Sequence, residues 1–521
     1  MTSESEPRFG KVRTLLWPIH RNELKKFLPM FLIYFLICIN YSLLRAAKDA
    51  LVITAPHSGA EAIPFIKVWA IVPMAILFTI LFTRLVNRYG REKVFYIMIS
   101  LFIGFYTLFA LILYPCRDVL HPNNLATHLQ GIAPDGFRGL IGIFRNWTFT
   151  LFYVMSELWS TMIMSVLFWG FTNEVTSVNK AKRFYGILLL GANIASIISG
   201  QISVLLSNEL IYKWVPFGTD PWGKCILLIT SIVTIVGLAI MALFYWLNRN
   251  VIDHEESHDL SVAAKKGPKI KMSFRNNIAY LSKSKYLIFI AVIVLTYNIS
   301  INMIEVVWKD QVKELIPNPN DFAAYMGKIM MLMGALSTFV SIFLCGNLIR
   351  RFGWTFGALV APFTMLVTGI VFFSVLLFKN AGLGGIAIAL GTTPLALGVL
   401  FGGIQNCMAR TCKYTLLDAT KEMAFIPLSP ESKLKGKAAI DGVGSRIGKS
   451  GGSIIHQCFL MIFGSISLST PYVAGLLLIV IGIWIAAAKN LGQQFTELTA
   501  EGATSRTPAF SSEPQKQEVM G

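Results

Sequence analysis

The segment RLVNRYG at residues 84–90 returns as NLIRRFG at residues 347–353, an offset of 263 positions. Each copy is a basic turn that ends in glycine and follows a long apolar stretch. Two further pairs keep the same order. Lys48-Asp49 matches Lys309-Asp310 at an offset of 261, and Lys180-Ala-Lys182 matches Lys433-Leu-Lys435 at 253. Three matches at nearly constant spacing mark a tandem repeat of about half the 521 residues.

Between these markers the chain is apolar. It is 54% hydrophobic and only 14% charged, with a mean hydropathy of +0.60; soluble domains carry about 25% charged residues. About 20 apolar residues cross a bilayer core of roughly 30 Å, and a helix can do so because it satisfies its own backbone groups. Twelve spans are expected, at 28–47, 64–86, 94–114, 147–172, 184–206, 225–247, 286–308, 327–349, 355–378, 384–408, 440–465 and 470–488. Polar residues interrupt the tenth and eleventh. Two parallel repeats of six spans imply an all-α, major-facilitator-like membrane protein. Its halves would face each other about an axis along the membrane normal, with the substrate site between them at mid-depth. The expected division is a segment 1–27, a first half 28–248, a linker 249–284, a second half 285–490, and a disordered polar tail 491–521.

The net charge of +18 would suit nucleic-acid binding in a soluble protein, so its placement decides. Basic residues cluster before the first span (Lys11, Arg13, Arg21, Lys25, Lys26) and after the second (Arg84, Arg88, Arg91, Lys93). They recur after the fourth (Lys180, Lys182, Arg183), sixth (Arg249, Lys265, Lys266, Lys269, Lys271), eighth (Arg350, Arg351) and tenth (Lys433, Lys435, Lys437). Every even-numbered connection is basic. Topology in a lipid bilayer explains this without nucleic acid and places both termini in the cytoplasm. Residues 1–27 are polar and lack a cleavage site, so no cleavable signal is expected. The seven cysteines show neither metal spacing nor a disulfide framework, and no metal or cofactor is expected.

A charge at a helix centre costs roughly 2.5–3.5 kcal/mol on insertion scales. Six residues stand out on that ground: Arg45, Lys48, Glu157, Glu305, Arg446 and Lys449. Arg45 and Lys48 share a helix face, although both lie near a span end, from which they could snorkel to the interface. Glu305 has Lys309 four residues on as a possible partner. Glu157 has no basic residue within a helical turn, so it needs a distant partner or a proton. Arg446 and Lys449 lie among Gly442, Gly444, Gly448, Gly451 and Gly452, where backbone amides beside basic side chains could hold an anion. Their counterparts in the first repeat are Asn193 and Ser196. The positive charge is therefore one-sided, which suits a ligand better than the fold. Gly448-Lys449-Ser450 lacks the upstream glycines and strand of a P-loop. Trp159, Trp169 and Trp308 could stack on a base, but packing and interfacial anchoring are the commoner roles. No catalytic constellation appears, so an enzyme is not expected; a membrane-embedded enzyme or receptor is the distant alternative.

The chain also resembles the ATP/ADP translocases, the nucleotide transporters of obligate intracellular bacteria and plastids. The resemblance runs from about residue 8 to 490. It rests on Leu44-Arg45 with Lys48-Asp49, Glu157-Leu-Trp159 with Phe168-Trp-Gly-Phe171, and Gly191-Ala-Asn193. It continues in Ile304-Glu305-Val306 with Trp308-Lys309, Lys421-Glu-Met-Ala-Phe-Ile-Pro427, and Lys435-Gly-Lys-Ala-Ala-Ile-Asp441 leading to Gly448-Lys-Ser-Gly-Gly452. The resemblance implies import of host ATP in exchange for ADP across a bacterial inner membrane. ATP, ADP and other nucleotides or phosphate would be the substrates. The family's charged residues fall on Lys48, Glu157, Glu305 and Lys449; with Arg45, Arg446 and Asn193 they form the expected substrate site. Ala46, Ala47 and the stretch 442–447 depart from the strict exchangers, which keeps a proton-coupled or broad-range importer (other nucleoside triphosphates or NAD) as the alternative.

Overall fold

The computed structural model describes residues 18–176, 178–212, 218, 220–252, 284–379, 382, 387, 389–428, 432, 436–437, 440 and 445–504. Every regular element among them is helical. The membrane helices are α1 (Arg21–Ile53), α2 (Ala62–Gly90), α3 (Glu92–Leu113), α4 (Trp147–Val175), α5 (Arg183–Leu206), α6 (Pro221–Val251) and α7 (Lys285–Leu315). A continuous Pro319–Leu377 segment follows. It provides α8 (319–352) and α9 (354–377). Then come α10 (Pro394–Cys412), α11 (Ser445–Phe463) and α12 (Ile466–Thr504). Among the described residues nine helices are long and apolar enough to cross a membrane. The expected count of twelve is therefore not reproduced by apolarity alone. The 59-residue segment would run about 88 Å if straight, far more than one crossing; α10 and α11 are the polar-interrupted pair.

The opening repeat has a conformational meaning. Gly90 has φ 76° and ψ 169°, and Gly353 has φ 85° and ψ 174°. This region is essentially closed to residues with a Cβ. The same glycine thus breaks the helix after the second span of each repeat. A Cβ at either position would meet nothing within 4 Å, so backbone strain alone opposes substitution. Gly90→Ala and Gly353→Ala should each destabilise the protein by about 1–3 kcal/mol, read as a lowered melting temperature in detergent. Unchanged melting would show that the turn tolerates another backbone geometry.

Three expectations need correction. The first span does not close at residue 47: α1 runs to Ile53, so Lys48 and Asp49 lie inside the helix. The tenth begins later than 384. Thr393 caps α10, accepting from the Ala396 amide at 3.1 Å, and Pro394 follows at the first helical position. That helix continues through a π-helical Lys413–Leu417 and an α-helical Asp418–Ala424, which moves its centre towards Arg410. The tail is helical to Thr504, not disordered from 491. Leu491 is buried and Phe495 stacks on Trp354 at 5.1 Å, which ties the extra turns to α9. Most of the expected linker, 253–283, lies outside the described residues.

The two repeats meet tightly along α5 and α8. A Cβ on Gly200 would lie 2.4 Å from the Gly327 carbonyl, and one on Gly334 would lie 2.7 Å from the Asn193 carbonyl. Backbones approach this closely in a membrane only where side chains are small. At the ends away from the linker, Tyr212 donates to Asn320 (3.0 Å), Gln457 donates to the Pro64 carbonyl (2.8 Å), Trp69 donates to Gln457 (3.2 Å), and Lys313 donates to the Ser58 carbonyl. A short helix (Arg138–Arg145) and the turn before it, between α3 and α4, fold over this side. A Cβ on Gly136 would lie 2.5 Å from the Leu460 carbonyl of α11. The molecule is closed on its loop side, the face away from the linker.

Candidate functional site

Six ionisable side chains form one chain of alternating sign through the centre. Glu157 of α4 pairs with Lys48 of α1 at 3.0 Å, and Lys48 reaches Asp49 at 3.1 Å. Asp49 pairs across the repeats with Lys309 of α7 at 2.7 Å. Lys309 pairs with Glu305 at 2.9 Å, one turn earlier on α7, and Glu305 also takes Arg410 of α10 at 2.9 Å. Asn406 accepts from Arg410 Nε at 3.1 Å, fixing that guanidinium. The Tyr153 ring lies 3.6 Å from the Lys48 ammonium, a cation–π contact. Lys48 and Lys309 side chains are each 3% exposed and Asp49 5%. Each charge is thus tolerated only because the next one neutralises it.

Local helix geometry builds this arrangement. Glu157 lies two residues before a π-helical segment, Trp159–Phe168, and Arg410 three before another, Lys413–Leu417. π-segments widen a helix and re-aim its side chains, frequently at functional sites. Glu157 and Arg410 are 253 positions apart, the offset of the third repeat marker. The repeats therefore place an acid and a base at equivalent positions.

The chain of six contains three acids and three bases, so it is neutral. Other bases around it are not neutralised. Arg45 lines the cavity between Asp49, Glu305, Lys309, Asn406 and Arg410, and no carboxylate lies within ion-pair distance of it among the described residues. Lys67 of α2 donates to Asn302 of α7, an amide. Lys449 of α11 is exposed, within Coulombic reach of Glu157, Lys413 and Arg410. Lys413, by contrast, is held by Asp418 at 3.0 Å. This cavity measures about 20 Å³, room for roughly one water molecule. On the other side Glu157 is 31% exposed and Lys413 30%. Charged groups at this depth face a water-filled cavity, so the opening is towards the linker side.

The sequence-derived residues fall into three groups. Lys48, Glu157 and Glu305 lie in the chain of charges, with Arg45 and Lys449 beside it. The distant partner that Glu157 requires is Lys48, and the expected Glu305–Lys309 pair forms. Asn193 stands apart: it is half-buried on α5 with its carbonyl against Gly334. The Arg446 side chain lies outside the described residues. Sequence reasoning missed Arg410, Asp49 and Lys67. Arg410 would have been flagged by insertion cost had the tenth span been placed two residues further on. Trp159 and Trp308 are buried and donate to the carbonyls of Ile37 and Val399, each at 3.2 Å. Both pack, and Trp308 also lines the cavity beside Arg45 and Glu305.

Comparisons with known proteins give the family and the fold. The family model described as TLC ATP/ADP transporter matches residues 2–495. The "ADP,ATP carrier protein 1" of Chlamydia trachomatis serovar D is 47% identical over 500 residues, 96% of this chain and 94% of that one. The chloroplastic "ADP,ATP carrier protein 1" of Arabidopsis thaliana is 42% identical over 478 residues, 92% of this chain and 75% of that one. Among solved structures, a POT family transporter superposes with a TM-score of 0.53 at 10% identity, covering 94% of this chain and all of that one. A D-xylose-proton symporter gives 0.52 at 13%, covering 90% and 97%. At such identities these show the fold alone, and it is the major-facilitator-like fold expected from the repeat.

Proposed function

The chain belongs to the TLC ATP/ADP transporter family, and from that premise we propose that it exchanges ATP for ADP across the membrane it spans, by alternating access. The observation that carries this reading is the surplus of Arg45, Lys67 and Lys449 beside an otherwise neutral chain of buried charges. A nucleotide's phosphates are the anion such a surplus suits. Lysine meets phosphate as a point charge and arginine as a bidentate fork. The remaining substrate-site residues are Lys48 and Glu157, which pair with each other, and Glu305, which pairs with Lys309 and Arg410; Arg446 and Asn193 complete the set expected from the sequence.

The same reading sets the topology. The basic even-numbered connections support a topology with both termini and the linker in the cytoplasm, in a bacterial inner membrane. The structure then corresponds to the inward-open state, sealed on the outer side. The halves 28–248 and 285–490 are the bodies that rock against each other. Among the named relatives, carriers of ADP and ATP favour exchange over proton-coupled import. The test is uptake of labelled ATP by cells expressing the protein. Internal ADP should accelerate uptake, and a protonophore should leave it unchanged. Uptake abolished by the protonophore and indifferent to internal ADP would establish proton symport instead.

A further inference from the structure

We infer that Asp49 is the residue that makes exchange obligatory. This rests on the exchange reading above. Asp49 is buried, and its two oxygens hold two lysines from opposite halves: Oδ1 takes Lys48 at 3.1 Å and Oδ2 takes Lys309 at 2.7 Å. These lysines are repeat counterparts, 261 positions apart. Without an anion between them, two buried ammonium groups would repel across the boundary that must separate when the outer side opens. Asp49 turns that repulsion into a lock. Its own counterpart, Asp310, makes no such bridge among the described residues, so the lock is single and one-sided.

An empty carrier must break the Asp49–Lys309 bond to open outward, and breaking it parts a net negative cluster (Glu157, Lys48, Asp49) from a net positive one (Lys309, Glu305, Arg410) at low dielectric. A loaded carrier has phosphates in the site. Held by the neighbouring bases Arg45 and Lys449, they bring negative charge beside Lys48 and so compete with the carboxylates for the lysines. Opening then exchanges one anion for another instead of parting two oppositely charged clusters. The empty carrier is the slow form and the loaded one the fast form. That difference is what converts a uniporter into an exchanger. Lys48 and Lys309 set the attraction for substrate, whereas Asp49 acts through them as a positioning residue.

The test uses the full chain in proteoliposomes loaded with labelled ATP. Efflux is followed with and without external ADP. The wild type should release label only when ADP is outside. Asp49→Asn should release it into nucleotide-free buffer about tenfold faster than wild type, equal to about 1.4 kcal/mol off the empty-carrier barrier. Asp49→Glu should stay strictly coupled. Lys309→Gln breaks the same cross-half bond while keeping Asp49 on Lys48, so it should leak too and guards against misfolding of the first variant. A third readout needs neither variant. Spin labels attached without cysteine chemistry at the exposed Leu210 and Leu468, both on the loop side, should report a single short distance in the empty wild type and a second, longer one with ATP. Strict coupling in a folded Asp49→Asn or Lys309→Gln protein, or an empty wild type that already populates the longer distance, overturns the assignment. A wild type that releases no label even with external ADP would instead overturn the exchange reading beneath it.

Discussion

Replacing Glu305 with glutamine is expected to lower the exchange rate by at least about a hundredfold and to destabilise the protein by about 3–5 kcal/mol, the usual cost of stripping one partner from a buried ion pair. Glu305 is the shared counter-ion of Lys309 and Arg410, each at 2.9 Å. Glutamine keeps the shape and removes the charge. Two cations of α7 and α10 then face each other with only the Asp49 carboxylate nearby. Initial exchange rates and melting in detergent measure the two effects together. A stable, active Glu305→Gln protein would show that the alternating chain is not what holds the centre.

Lys449→Gln should behave in the opposite way. Lys449 is exposed, and no carboxylate pairs with it among the described residues. Its removal should leave stability within about 0.5 kcal/mol of wild type, as for surface positions free of special contacts. It should raise the KM for ATP by about 10–100-fold, the worth of one charge-assisted hydrogen bond of about 1.5–3 kcal/mol. Lys449→Arg should recover most of the loss. A KM that does not move would assign Lys449 to topology and not to substrate. The contrast between the two variants separates residues that hold the site together from those that await the ligand.

Much of this was legible in the sequence, for physical reasons. RLVNRYG and NLIRRFG could be matched because glycine is the residue that adopts φ near +80° at no steric cost, and both copies do so. Insertion cost picked out Lys48, Glu157 and Glu305, and all three sit in the central chain. The misses trace to span boundaries. The apolar stretch 384–400 drew the tenth span too early, so Arg410 fell outside it; the helix is set instead by the Thr393 cap and Pro394. Asp49 read as the end of a span because α1 was ended one turn and a half short. Lys67 sits near the start of α2, where a lysine ordinarily snorkels, and only the fold brings it to Asn302. No local signal in the sequence joins Asp49 to Lys309, because that bond crosses 260 residues.

The most direct test of the central claim is competition by adenine compounds of decreasing phosphate number. Labelled ATP uptake into ADP-loaded proteoliposomes is measured against external ATP, ADP, AMP and adenosine. If Arg45, Lys67 and Lys449 read the phosphate chain, inhibition should weaken with each phosphate removed, by about tenfold or more for every charge-assisted hydrogen bond that the shorter compound cannot make, and adenosine should not compete. Equal inhibition by adenosine and ATP would contradict the account, because the surplus positive charge would then have no part in holding the substrate.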